Sequence, residues 1–240
     1  MPRGNYGRGC GKPVQKRRIL AAALVLSPLV LIICSFIEGG WRIAATIIAF
    51  LSMLPFYMLF ERRKPKAREI VPVAVMSALA AISRMAFVFA PQFKPIIAIV
   101  IITAVVFGAE SGFLCGTCSM LVSNFFFGHG PHTPWQMFCC GLIGYAAGVL
   151  SRKKIITGKL GLCIFGLISG FIFGAIVDIW TVIGTTPEIT PQTVAAIYIA
   201  GLPFNAALAA ATAFFLYVAS VPMIQKLERI KQKFGLYDKV

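Results

Sequence analysis

Eight long apolar segments, separated by short connections, constrain this chain more than any other feature of its sequence. A helix needs about 20 mostly apolar residues to cross the ~30 Å hydrocarbon core of a bilayer. Hydrophobic residues make up 58% of the 240 residues and charged residues only 13%, which excludes an ordinary soluble enzyme. The predicted spans are Ile19–Ile37, Ile43–Phe60, Ile70–Ala90, Pro95–Gly108, Ser111–Phe127, Trp135–Leu150, Leu160–Ile183 and Gln192–Val221.

Two of these segments are irregular in length. The fourth is short: it is either re-entrant, or it reaches the required length by including Pro91–Lys94, with Lys94 extending to the surface. The last is long and contains Pro203, which predicts a kink or a break. We therefore expect an all-helical integral membrane protein with eight spans.

The basic residues orient these spans. The formal net charge is +15, which is also typical of nucleic-acid-binding proteins. However, twenty of the 23 Lys and Arg residues fall on one side of an eight-span topology: before the first span, in linker 61–69, after the sixth span and after the last. The positive-inside rule places that side, and both termini, in the cytoplasm of a multi-pass cell-membrane protein. Nucleic acid is then the poorer explanation of the charge.

The N-terminal region has two interpretations. A basic start followed by an apolar run is typical of a signal peptide. The run Ile19–Ile37 is longer than a usual signal-peptide core, no convincing cleavage site follows it, and a second span begins soon after. These features favour a retained transmembrane hairpin over residues 19–60.

Motifs for catalysis are absent from the sequence. It contains no P-loop, H-E-x-x-H or G-x-S-x-G motif, and its loops are too short for a soluble catalytic domain. The C-x-x-C motif at Cys115 and Cys118 lies within a predicted span, where packing is a better explanation than redox chemistry. We expect no catalytic residues, no resident cofactor and no metal site.

Two ionisable residues lie inside predicted spans, where a charge is costly and usually has a function or a partner. Arg84 and Asp178 lie at similar depths, near the side opposite the basic linkers. They either form a buried ion pair that holds two helices together or line a water-accessible ligand pocket. The two interpretations are compatible, because a pair can border a pocket.

The connection from Asn124 to Gln136 is rich in aromatic residues, glycine and proline. Its aromatic residues form either an ordinary interfacial belt or a loop that covers a bound ligand. Its two histidines have metal-like spacing but no acidic or cysteine ligand beside them. The candidate ligand-binding residues are Arg84, Asn124, Phe127, His129, His132, Trp135, Gln136, Asp178, Trp180 and Asn205.

Small residues recur at four-residue spacing in several spans, which permits close approach of helices. Packing within the chain is the simpler explanation, and docking onto another membrane subunit is the alternative. The pattern occurs at Ala74 and Ala78, at Gly108, Gly112 and Gly116, at Gly144 and Gly148, and at Gly166, Gly170 and Gly174.

From Ala67 to its C-terminus, the chain resembles the substrate-binding S components of energy-coupling factor (ECF) vitamin importers. The resemblance rests on the basic lead-in Lys66–Glu69, the A-x-x-x-A pattern and these four strings: Pro91-Gln-Phe-Lys-Pro95, Phe107-Gly-Ala-Glu-Ser-Gly112, Asn124-Phe-Phe-Phe-Gly128 and Pro134-Trp-Gln-Met137. It implies a six-helix bundle with a vitamin pocket near the outer surface. It also implies a transmembrane coupling subunit and two ATPase subunits as partners, with Ala74 and Ala78 at the coupling contact.

The resemblance divides the chain into a basic cytoplasmic tail (1–18), an additional transmembrane hairpin (19–60), a basic linker (61–69) and a six-span binding domain (70–240). The motifs look most like members associated with cobalamin or a related corrinoid, and a flavin or a smaller vitamin is the alternative. Two other functions stay open, an integral-membrane enzyme acting on lipid and a self-contained small permease.

Overall fold

A computed structural model describes residues 40–62, 67–156, 158–186 and 188–235. Every regular element in these ranges is an α-helix. The eight helices are α1 (Gly40–Leu51), α2 (Leu54–Arg62), α3 (Ala67–Ala86), α4 (Ile96–Phe107), α5 (Ala109–Phe127), α6 (Thr133–Arg152), α7 (Gly158–Thr185) and α8 (Pro191–Lys233).

The predicted second span, Ile43–Phe60, is not one continuous helix. It consists of α1 and α2, which are separated at Ser52 and Met53. Met53 is almost fully buried, and Phe56 of α2 stacks on Phe113 of α5 with ring centroids 4.3 Å apart. The described part of the N-terminal region therefore packs on the bundle. The predicted first span, Ile19–Ile37, lies outside the described residues.

Helices α3 to α8 correspond to the six predicted spans of the binding domain. Three described helices are long and apolar enough to cross a membrane, within Glu69–Ala86, Gly158–Thr185 and Pro191–Lys233. The structure thus supports a helical membrane protein and leaves eight crossings as a prediction. Pro203 predicts a kink or a break in the last span. Helix α8 continues through this proline without a break.

Helix α4 lies at the centre of the bundle, and it explains the short fourth segment. Eleven of its twelve residues are buried, because the surrounding helices cover it on all sides. At 1.5 Å per residue it is only about 18 Å long. The expectation that Pro91–Lys94 extends this helix is wrong: these residues form a turn, and Lys94 lines a cavity instead of extending to the surface.

Most of the regularly spaced glycines serve internal packing, the simpler of the two explanations. A Cβ on Gly112 would lie 2.7 Å from the carbonyl oxygen of Gly144, so α5 and α6 touch along their backbones here. A Cβ on Gly170 would similarly meet the backbone of Ala209, which joins α7 to α8. Ala74 and Ala78 differ, since both are exposed on α3.

Candidate ligand-binding site

A cavity of about 370 Å³ lies near the end of the bundle that carries the connections 87–95, 128–132 and 186–190. We call this the loop end. The cavity walls come from α3 to α8 and from the connection between α3 and α4. They combine polar and charged side chains with an apolar surface. The lining residues are Arg84, Gln92, Lys94, Ile96, Ile97, Met120, Gln136, Phe173, Gly174, Val177, Asp178, Gly201, Phe204, Asn205 and Leu208.

Arg84 reaches this cavity from the last turn of α3 and is held by α5. Its Nη1 atom donates to Ser123 Oγ at 2.7 Å and to Asn124 Oδ1 at 2.6 Å. Its guanidinium also lies 4.5 Å from the centre of the Phe127 ring, a favourable cation–π distance. These contacts fix the orientation of the guanidinium without neutralising its charge.

Asn124 is fully buried and connects three elements. Its Oδ1 accepts from Arg84, while its Nδ2 donates to Thr133 Oγ1 at 3.2 Å and to Gln136 Oε1 at 3.0 Å. Thr133 Oγ1 also accepts from the backbone N–H of Gly130 at 3.2 Å. Gln136, which accepts this bond through Oε1, also lines the cavity, and its amide group is a hydrogen-bond donor. Asn124 itself does not line the cavity.

Asp178 and Asn205 form the polar part of the opposite wall. Asn205 Nδ2 on α8 donates to Asp178 Oδ2 on α7 at 2.8 Å. Two glycines make room for this pair. A Cβ on Gly201 would lie 2.7 Å from Asp178 Oδ2, and a Cβ on Gly174 would overlap the Asn205 amide.

Arg84 and Asp178 face the same cavity but do not form a salt bridge. The partners of Arg84 are Ser123, Asn124 and the Phe127 ring, and the partner of Asp178 is Asn205. Of the two sequence interpretations, the structure therefore favours groups that border a pocket over an ion pair.

The connection between α3 and α4 contributes two residues that the sequence analysis did not select. Gln92 has a φ of 55°, a left-handed conformation that costs about 1 kcal/mol outside glycine. Phe93 then packs on α8, with ring centroids 5.4 Å from Phe215 and 5.9 Å from Phe214. Gln92 and Lys94, on either side of Phe93, line the cavity. Alternation of polar and apolar residues between Pro91 and Pro95 was the available signal.

Lys94 lies close to Arg84, and the two cations share an aromatic neighbour. The Lys94 ammonium is 4.8 Å from the centre of the Phe127 ring. Burial, and then the charge of Arg84, lower the pKa of Lys94. Burial, and then the charges of Arg84 and His129, also lower the pKa of His132, which disfavours a charged imidazole here. The charge at this end of the cavity therefore comes from Arg84 and Lys94.

The remaining candidates lie near the cavity without lining it. His129 is exposed and packs edge-on against Phe125, with ring centroids 4.6 Å apart. Trp135 buries its indole Nε1 without a hydrogen-bond partner, and Trp180 packs against Gly184 one turn further along α7. Thus four candidates line the cavity (Arg84, Gln136, Asp178 and Asn205), and six do not (Asn124, Phe127, His129, His132, Trp135 and Trp180).

The described parts of the chain contain no group of three or more His, Cys, Asp or Glu residues that could hold a metal ion. The described cysteines, at positions 115, 118, 139, 140 and 163, are all free. Cys115 Sγ lies 3.7 Å from Thr103 Oγ1 in the core, which agrees with a packing role.

Comparison with known proteins identifies the family. The family model for the S component of ECF-type riboflavin transporters matches residues 64–229. No curated protein and no solved structure matches the chain. S components are vitamin-binding membrane subunits that work with a membrane coupling subunit and ATPases, and they are not enzymes. The match does not extend to the cobalamin-type group. With most of its length covered, this chain belongs to the family of ECF transporter S components.

Proposed function

We propose that this protein captures a vitamin of about flavin size in the cavity at the loop end and releases it inward in complex with its transport partners. The observation that carries the proposal is the cavity itself. Charged and amide side chains from α3, α6, α7, α8 and the 87–95 connection converge on it, beside apolar walls. A mostly apolar cavity with a few polar groups that fix orientation is the usual form of a small-molecule site.

The size of the cavity supports a flavin over a corrinoid. A volume of about 370 Å³ lies low in the range of roughly 300–1,000 Å³ that is typical of pockets for drug-sized ligands. Riboflavin, a tricyclic ring with a sugar-alcohol chain, is of that size. A corrinoid, with its macrocycle and nucleotide arm, is several times larger. The family model, which is described for riboflavin transporters, points the same way, and cobalamin stays the alternative to be tested.

The charge pattern supports an orientation in which the loop end faces the outside. The sequence is basic at 61–69, after α6 and at the end of α8. The described start of α3 and the ends of α6 and α8 lie at the end of the bundle opposite the loop end. The positive-inside rule then places both termini in the cytoplasm and the cavity toward the external medium, where an importer meets its cargo.

Ala74 and Ala78 are proposed to contact the coupling subunit. Both are exposed on α3, and the neighbouring apolar residues Val71, Val75 and Ile82 are 60%, 59% and 57% exposed. Two alanines one turn apart leave a shallow strip along which a partner helix can approach closely.

The eight-span topology, with residues 19–60 as an additional hairpin, is part of the same proposal. In the described portion of that segment, Phe56 packs against Phe113 on α5 and Tyr145 on α6, with the second pair of ring centroids 5.1 Å apart. Helix α2 therefore packs on α5 and α6, away from the strip at Ala74 and Ala78 on α3. The described helices of the N-terminal segment leave that strip exposed.

Two measurements test the proposal. The full chain is purified in detergent, and co-purifying small molecules are identified by mass spectrometry. Riboflavin and cyanocobalamin are then titrated by calorimetry. We expect a vitamin of flavin size to co-purify and to bind without ATP. Binding of cobalamin alone would instead support the corrinoid alternative. Vitamin uptake by proteoliposomes that contain this chain alone would favour a self-contained permease.

A further inference from the structure

Arg84 and Lys94 form a cationic end of the cavity, and no described residue forms a salt bridge with either of them. The contacts of Arg84 are two neutral side chains and an aromatic ring. Lys94 contacts the same ring. Asp178, the acidic residue that lines the cavity, is hydrogen-bonded to Asn205 and makes no salt bridge with either cation.

The placement of these two cations costs free energy. Partly buried charges lose hydration, and two nearby like charges add repulsion. The lowered pKa of Lys94 reports both effects. Nevertheless, the fold holds the cations in place: Ser123 and Asn124 fix the guanidinium, and Phe93, packed on Phe214 and Phe215, anchors the segment that carries Lys94.

We infer that the vitamin bound in this cavity carries a negatively charged group, a carboxylate or a phosphate, that lies against Arg84 and Lys94. A guanidinium and an ammonium beside a small cavity match the acceptor oxygens of such groups. The Gln136 amide, oriented by Asn124, adds a neutral donor. This inference rests on the proposed function and narrows it, because riboflavin itself is neutral.

Matched pairs of ligands that differ in one charged group test the inference. The pairs are FMN and riboflavin, pantothenate and pantothenol, and biotin and biotin amide. Each is titrated by calorimetry into the full chain at low salt. In the pair that binds, we expect the charged member to bind at least about tenfold more tightly. The identity of that pair distinguishes a phosphate from a carboxylate.

Variants connect this preference to the cationic end. Lys94→Met should reduce the ratio of affinities within the pair severalfold, and Lys94→Arg should preserve it. The matched control is Lys153→Met, in the exposed connection at the opposite end of the bundle, and it should leave the ratio unchanged. Melting temperatures confirm that each variant is folded.

The outcomes separate the two proposals. If a neutral member binds as tightly as its charged counterpart, or if Lys94→Met keeps the full ratio, the inference of an anionic ligand is wrong while the cavity remains a vitamin site. If none of the six compounds binds and none co-purifies, the proposed function fails, and the inference fails with it.

Discussion

Arg84 donates from Nη1 to Asn124 Oδ1 on α5 at 2.6 Å. Through Asn124, this bond links the cationic end of the cavity to the start of α6. Asn124 donates in turn to Thr133 and Gln136. An amide is suited to this position, because it accepts from the guanidinium and donates to two oxygens at once. Asn124 therefore orients two cavity-lining side chains without lining the cavity itself.

We expect Asn124→Ala to weaken vitamin binding by about tenfold or more. The substitution removes an acceptor of Arg84 and frees Gln136, and hydrogen bonds to charged groups contribute roughly 1.5–3 kcal/mol. Calorimetry measures the affinity, and thermal unfolding checks the fold. Phe125→Ala is the matched control, because the adjacent Phe125 is 75% exposed. Unchanged affinity in the Asn124 variant would contradict its positioning role.

Gly174→Ala and Gly201→Ala should each impair binding through the opposite wall. The added methyl group of the first overlaps the Asn205 amide, and that of the second lies 2.7 Å from Asp178 Oδ2. Displacement of either side chain breaks the bond between Asp178 and Asn205, so we expect a loss of affinity of about tenfold. Gly161→Ala, whose nearest neighbours are 3.8 Å away, should bind normally. Equal affinities in all three variants would show that this wall does not contact ligand.

Ala74→Phe and Ala78→Phe should abolish uptake while preserving vitamin binding. Both positions are exposed on α3, so a larger side chain does not disturb the described bundle but blocks close approach of a partner helix. Uptake is measured in cells that express the coupling subunit and the ATPases, and binding is measured on the purified variants. Ala210→Phe, at an exposed position of α8, should support normal uptake. Normal uptake by both α3 variants would place the coupling contact elsewhere.

Phe56→Ala should lower the free energy of unfolding by about 2 kcal/mol and leave vitamin affinity unchanged. The ring stacks on Phe113 and packs edge-on against Tyr145, and loss of a buried phenyl group costs a few kcal/mol. Thermal unfolding in detergent measures the change. Phe50→Ala, at a position that is 53% exposed, is the control and should have little effect. A drop in affinity for Phe56→Ala would mean that the N-terminal helices also shape the cavity.

Much of the helical architecture can be predicted from the sequence, because long apolar runs and basic linkers determine which segments enter a bilayer. The helices α3 to α8 follow the predicted spans with shifts of a few residues at most ends, except that α8 continues to Lys233, well beyond the predicted end at Val221. Helix α4 is the informative exception. Its continuous apolar run is as compatible with a helix that faces lipid as with a short helix enclosed by others, and only the tertiary structure shows that α4 is enclosed.

The site was partly predictable for a related reason. Polar groups within apolar segments are costly, so Arg84, Asp178 and Asn205 were identifiable from sequence, and all three line the cavity. Depth along a helix does not determine the direction of a side chain, which is why Asn124 and Trp180 were candidates although neither faces the cavity. Gln92 and Lys94 line the cavity because of a turn at positive φ and the packing of Phe93. The alternation between Pro91 and Pro95 indicates that the two polar residues lie on one side of the segment, but it does not determine what that side faces.

Vitamin binding in the cavity between Arg84 and the pair Asp178 and Asn205 is tested most directly by calorimetry. The co-purifying vitamin is titrated into the ligand-free full chain and into Asn205→Ala. We expect binding by the wild type at a stoichiometry of about one, without ATP, and a loss of about tenfold or more in the folded variant. Equal affinity in the two proteins, or no binding by the wild type, would contradict vitamin binding in this cavity.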